Sequence, residues 1–259
     1  MTPTEMHHLL YDSHGDKSPV RLRTDIDNST LDRVPFFRLT EELLRIILRD
    51  KSIKLTPLGA LPRKILHELY SHRLITEDII EAGVSKLARE IDSVAITTVH
   101  VNTLLTGAIK KANGKLTLTK KGLKLLQPEH RRELFNETLV TFTVRFCWGF
   151  NDRYPQHPIG QLGWGFTVYL LNRFGERDQT DEFYAKKYLQ AFPRLLDFFP
   201  ERDVGTPTED FTNCFRLRTF ERFLEWFGLI RVGRSHGILE RRSCTVSRTD
   251  LMNKVFSFE

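Results

Sequence analysis

Apolar residues recur at helical spacing along most of this chain, and short alternating stretches interrupt them. TEELLRIILRD, residues 40–50, opens on a threonine followed by two acids. A hydroxyl accepts from exposed first-turn amides and carboxylates suit the positive end of a helix, so a helix start is predicted at Thr40. KLTPLGALPRKILHELYSHRLI predicts a second helix, capped by Thr56 with Pro57 in the first position. Ile65, Leu66, Leu69 and Tyr70 form its apolar stripe. TEDIIEAGVSKLARE predicts a third helix. TTVHVNTLLTGAIKKA predicts a fourth, with Val101, Leu104, Leu105, Ala108 and Ile109 inward and His100, Asn102, Thr103, Thr106 and Lys110 outward. Asn113 and Gly114 both tolerate positive φ and predict a hairpin turn. Lys115 to Leu118 then alternates as a half-buried strand does, and Thr119 is placed to cap a helix with Leu123 and Leu125 or Leu126 inward.

Much of this order returns near the end of the chain. DEFYAKKYLQAFPRLLDFF predicts a helix disturbed at Pro193. TPTEDFTNCFRLRTFERFLEWFGL predicts a capped helical stretch broken in two, with Phe220, Phe223, Leu224 and Phe227 on its apolar side. IRVGRSHGILERRSCTV predicts two strands around a Ser-His-Gly turn, and TVSRTDLMNKVF repeats the strand, hydroxyl and helix start of the Thr119 corner. LTPLGAL at Leu55 is a partial echo. Between the two regions, PEHRRELFNETLVTFTVRFCWGF predicts a long helix from Pro128 and QLGWGFTVYLLNRFGE a shorter one. NDRYPQHPIG, with two prolines, separates them. Before Thr40 the chain predicts an irregular arm with Leu9, Leu10 and Tyr11 tucked in.

A helix pair, a polar-faced helix, a short β-element and a helix restart resemble a winged helix-turn-helix, and TLTKKGLKLL resembles the end of its wing; this likeness covers about Thr40 to Leu126. The resemblance implies DNA binding as a common role. End to end, with its LTxxG corner and FYAKKYLQAFP helix, the chain is also similar to bacterial proteins of unassigned activity. The predicted fold is mainly α: tandem winged-helix-like units with small β-wings, joined by an aromatic-rich helical segment. The expected boundaries are an N-terminal arm at 1–39, a unit at 40–126, the central segment at 127–180 and a second unit at 181–259.

Charge sharpens this picture. The 259 residues carry a net +6 with pI ≈ 9.3, and nine of the basic residues lie between Arg216 and Lys254 against four acids. Arg216, Arg218 and Arg222 are expected on the helix before the second wing, and Arg231, Arg234, Arg241 and Arg242 on or beside the wing. Arginine binds phosphates and guanine edges through paired hydrogen bonds. Lys110 and Lys120, with Lys111, Lys115, Lys121 and Lys124, form a second basic group suited to phosphates. Duplex DNA is the leading expected partner, bound by the C-terminal unit. A protein-contact or architectural module whose arginines pair internally remains the alternative.

Other chemistry is weaker. Cys147, Asp152 and His157 are close in sequence, but an aromatic-rich helix favours a buried, inert thiol at Cys147. His7, His8, Asp12 and His14 would ligate a metal only if the arm folded around it. No glycine-rich phosphate loop follows a predicted strand and no GxSxG occurs, so no cofactor and no enzymatic activity are expected. IGQLGWGFTVYLL, the most apolar long window, is too short to span a bilayer. Three scattered cysteines and a first segment without signal-peptide character lead to the expectation of a cytoplasmic protein without membrane contact.

Overall fold

The computed structural model describes residues 1–155, 157–203, 205–234 and 243–259. The chain runs α1 (Pro3–Tyr11), β1 (Val20–Leu22), α2 (Asn28–Leu31), α3 (Pro35–Asp50), β2 (Ile53–Lys54), α4 (Arg63–Ser71), α5 (Asp78–Glu81), α6 (Val94–Leu105), β3 (Ile109–Ala112), β4 (Lys115–Leu118), α7 (Lys120–Leu125) and α8 (Arg131–Val140). A π-helical turn at Thr141–Arg145 follows. Next come α9 (Trp164–Phe174), β5 (Gln179–Thr180), α10 (Asp181–Ala191) and α11 (Pro207–Phe215), which continues as a π-helical stretch at Arg216–Leu224. The last elements are β6 (Ile230–Arg234), β7 (Cys244–Arg248), α12 (Asp250–Val255) and β8 (Phe256–Phe258). The protein is largely helical with small antiparallel sheets and aromatic clusters.

Two compact units divide the chain. A medial unit comprises Asp27–Phe146, and a terminal unit combines Met1–Ile26 with Cys147–Glu259. The boundaries differ from those expected. Residues 1–39 are not an arm: Thr2 and Glu5 form a capping box for α1, and β1 pairs with β8 through Val20 opposite Phe258. Leu9 is buried, whereas Tyr11 is exposed. The segment expected to join the units is itself divided, with α8 in the medial unit and α9 in the terminal one.

Each unit repeats one order of elements. In the medial unit it is α3, β2, α4, α6, β3, β4, α7, with sheet order β2-β4-β3; in the terminal unit it is α9, β5, α10, α11, β6, β7, α12, with sheet order β5-β7-β6. The second round therefore starts at Trp164 rather than Asp181. Both first strands have two residues, too few for an alternating pattern.

The recurring threonine has one structural job in both rounds. Thr119 Oγ1 donates to Gly107 O at 2.7 Å and Thr119 N to Ala108 O at 3.0 Å. Thr249 Oγ1 donates to Gly228 O at 2.7 Å and Thr249 N to Leu229 O at 2.9 Å. Gly107 and Gly228 have φ of 75° and 71°, which an L side chain rarely adopts. The corner thus fastens the turn after the third helix to the restart of the last one. Thr119 also accepts from Gly122 N and caps α7 as expected.

Several expected helix starts move. Pro35 opens α3, so Thr40 lies inside it, buried, with its hydroxyl on Phe36 O. Thr56 forms a turn closed by Gly59 and Ala60, and α4 starts after Pro62. Gly83, at φ 70°, ends the third predicted helix after a single turn. The stretch 206–229, expected to break in two, is helical without interruption from Pro207 to Leu224.

Aromatic packing supplies both cores. In the medial unit Phe36 meets Phe142 edge-on at 5.1 Å, and Phe37 meets Phe135 at 5.4 Å. In the terminal unit Tyr188 packs 4.7 Å from Phe215, and Phe215 meets Phe220 at 5.3 Å. Such pairs contribute about 0.5–1.5 kcal/mol each beyond buried area.

His14 lies 5.0 Å from Trp164, and burial holds it down at about 4 against an ordinary 6.5, with Asp12 opposing the shift. The folded state therefore refuses a proton that the unfolded chain accepts. Stability is fully present above pH 6.5 and is lost as the pH falls from there towards 4, by at most about 3 kcal/mol and less where water screens the ring. Urea titrations at pH 7 and 5 should show this loss, and His14→Phe should remove most of it; equal pH dependence in both proteins would refute the assignment.

Candidate nucleic-acid interface

Two of the expected arginines of the terminal unit, Arg216 and Arg218, are turned inward. Arg218 and its partner Asp152 have side chains with no exposed surface. Arg218 Nε donates to Asp152 Oδ2 at 2.6 Å and Nη2 to Oδ1 at 3.0 Å. Its remaining contacts reach His157 O and Pro155 O at 2.7 and 2.8 Å. One guanidinium thus holds the proline-containing loop after the medial unit. Arg216, 8% exposed, donates to Asp181 Oδ2 at 3.1 Å and lies 3.2 Å from Glu221. Contrary to expectation, neither arginine is available to an external phosphate, because desolvated carboxylates already hold both.

The other candidates in this unit are dispersed. Arg222 is half-buried and donates to the carbonyls of Phe150 and Asn151. Arg234 makes a two-bond pair with Glu225 at 2.9 and 2.5 Å. Arg231 is exposed on β6. Arg241 and Arg242 lie outside the described residues. No single cationic face emerges from those that are described.

The medial unit differs in a way that register alone reveals. Directly opposed residues on antiparallel strands share a face, and residues two apart on one strand do too. Lys115 on β4 stands opposite Lys54 on β2 and Ala112 on β3, while Thr117 stands opposite Lys110. Lys54, Lys110 and Lys115 therefore project from one face of the sheet, and all three are exposed. Ile53, Ile109 and Leu116 occupy the other face and are buried. With strands about 4.8 Å apart and alternate residues about 6.8 Å apart, the three stems rise within roughly 12 Å of one another.

Among the described residues no carboxylate lies within 4.0 Å of these three ammonium groups, and none of the three makes a hydrogen bond. Lys120 is likewise exposed and unpaired at the start of α7. The rest of the lysine group is committed: Lys111 to Gly59 O, Lys121 to Glu137 and Lys124 to Glu133. Lys54 and Lys115 face each other directly, a like-charge arrangement that opposes sheet formation. Sequence inspection missed Lys54; Ile53-Lys54-Leu55 alternates, but over too short a stretch to announce a strand.

The helix expected to turn a polar face outward in this unit holds most of that face in the interior. His100, Asn102 and Thr103 on α6 are buried, not outward. His100 Nδ1 lies 2.7 Å from Glu90 Oε1, and Asn102 Nδ2 donates to Thr138 O. Thr97 and Thr103 satisfy their hydroxyls on carbonyls one turn back, at Ser93 and Val99. Such back-bonding lets a polar-looking helix face sit in the interior.

Alternative chemistry is not assembled. Cys147 is exposed rather than buried, Asp152 is taken by Arg218, and His157 stacks on Phe198 at 3.5 Å. Burial pushes Cys214 and Cys244 up to about 12 each. Among the described residues no group of three or more His, Cys, Asp or Glu is placed to hold a metal ion, and no helix is long and apolar enough to cross a membrane.

Residues 32–132 match the family model of the Y4jL N-terminal domain. That range takes in α3 to the first residues of α8, including Lys54, Lys110, Lys115 and Lys120. No curated protein and no solved structure matches the chain.

Proposed function

We propose that the two repeated units are winged-helix-like and that the medial unit binds the phosphate backbone of duplex nucleic acid without reading sequence. Each round has the helix, strand, helix, helix, strand, strand order of that class, with the first strand beside the last. The observation that carries the function is the unpaired face of Lys54, Lys110 and Lys115. Lysine is a strongly hydrated point charge suited to phosphate rather than to base edges. Base readout needs donors and acceptors carried into a groove, and buried α6 offers none. A second role, protein contact by the terminal unit, is favoured by its internally paired arginines.

Anisotropy titrations with short labelled duplexes of unrelated sequence test the nucleic-acid role. Affinity should be similar across sequences and fall steeply between about 50 and 200 mM salt. Changing Lys54, Lys110 and Lys115 together to Ala should flatten the log–log salt slope by about 2.7, at roughly 0.9 per phosphate lost. Lys54→Glu should weaken binding while raising stability by about 0.2–1 kcal/mol, since it converts a repulsive cross-strand pair into an attractive one. No binding at low salt, or a slope untouched by the triple change, would exclude this function.

A further inference from the structure

A cleft of ≈ 970 Å³ opens in the terminal unit between α10 and α11. Its size is at the upper end for ligand pockets. We propose that it is the docking site for an extended polypeptide segment bearing a basic side chain, supplied by a partner protein. This goes beyond nucleic-acid contact, which rests on the other unit.

The floor of the cleft is already satisfied. Asp181, 1% exposed, is held by Arg216 through Oδ2 and accepts the amide of Cys244 on Oδ1 at 3.3 Å. The walls are not. Glu182, Lys186 and Gln190 lie four residues apart along α10 and line one side. Successive positions at that spacing share a helix face. Asn213 lines the opposite side from α11. None of these four side chains has a hydrogen bond or ion pair among the described residues. They form two facing rails of uncommitted polar groups.

Their chemistry selects the occupant. A carboxamide both donates and accepts, so Gln190 and Asn213 match the N–H and C=O of a peptide unit on either side of an extended strand. Among the lining residues four carboxylates, Asp181, Glu182, Glu209 and Asp210, stand against two cations, Lys186 and Arg216. Arg216 is spent on Asp181, and Arg202 lies 3.2 Å from Asp210. Glu209 accepts from Thr206 N in its capping box. Glu182 is left as the carboxylate without a hydrogen bond or ion pair among the described residues, one turn from the equally uncommitted Lys186, and is the group assigned to the basic side chain. The same negative surplus repels nucleic acid.

Selection of phage-displayed random peptides on the immobilised full chain tests the site. Enriched peptides should carry Lys or Arg, and a synthetic copy should bind about tenfold or more weakly to Glu182→Lys and to the Gln190→Ala, Asn213→Ala pair. Glu182→Gln should fall between wild type and Glu182→Lys. Circular dichroism should show unchanged melting for these surface changes, and duplex DNA affinity should stay as in wild type, which separates this site from the lysine face. No enrichment, enrichment of acidic peptides, or peptides that bind Glu182→Lys as tightly as wild type would overturn the proposal.

Discussion

Arg218→Met lowers the stability of the terminal unit by about 3–5 kcal/mol, the usual cost of removing one member of a buried pair. The loss has two parts. Asp152 stays in the interior as an uncompensated carboxylate, and the carbonyls of Pro155 and His157 lose their donor. Removing both charges with Asp152→Leu and Arg218→Met should cost much less than the two single changes added together. Arg222→Met is the comparison: that residue is half-buried and donates to two carbonyls at 3.2 and 3.4 Å, and its removal leaves no buried carboxylate uncompensated, so it should cost about 1 kcal/mol. Trp148, Trp164 and Trp226 all belong to the terminal unit, so urea unfolding followed by tryptophan emission reports this unit alone. A loss below about 1 kcal/mol for Arg218→Met would return that guanidinium to the set of residues free for a ligand.

Glu90→Ala has a comparable effect in the medial unit, about 2–6 kcal/mol, from two buried donors left without an acceptor at about 1–3 kcal/mol each. Glu90 Oε1 lies 2.7 Å from His100 Nδ1, and Oε2 accepts the amide of Leu61. Both glutamate and histidine are nearly inaccessible, at 6% and 4%. The carboxylate joins three pieces distant in sequence: the segment entering α4, the turn before α6, and α6 itself. The loss should appear in far-ultraviolet circular dichroism, which reports both units, while the tryptophan transition keeps its midpoint. A shifted tryptophan midpoint with an unchanged medial unit would refute the placement of this effect.

Sequence pattern revealed features whose causes are local. Thr119 and the Asn113-Gly114 turn are legible because their jobs involve residues within the same short stretch; both have the predicted place, with φ of 50° and 68° in the turn. Thr40 misled because a hydroxyl followed by acids also describes the middle of a helix whose threonine bonds back to Phe36. Thr56 misled because Pro62 offers a later start. The polar residues of α6 seemed outward since polarity normally indicates solvent, yet their partners are carbonyls one turn back, Thr138 and Glu90.

The candidate site was legible in one half and not in the other. Lys110 and Lys115 flank a visible turn, so their clustering is local. Lys54 joins them only through pairing of β2 with β4, which a strand of two residues does not announce. Among the arginines, charge was visible but its destination was not. Asp152 is far from Arg218 in sequence, and nothing around either residue signals that they will meet in the interior. A count of nine bases against four acids was correct for residues 216–254 and a poor guide to the surface there.

The pairing of β1 with β8 has a kinetic consequence. As the ribosome extends the chain, residues 27–146 emerge with every part of their own unit present and can fold while synthesis continues. Residues 1–26 must wait, because the partner of Val20–Leu22 is made more than 100 residues after the medial unit is finished. The segment that carries β1 thus completes its structure only after β8 has been made, later than the unit that follows it in the chain.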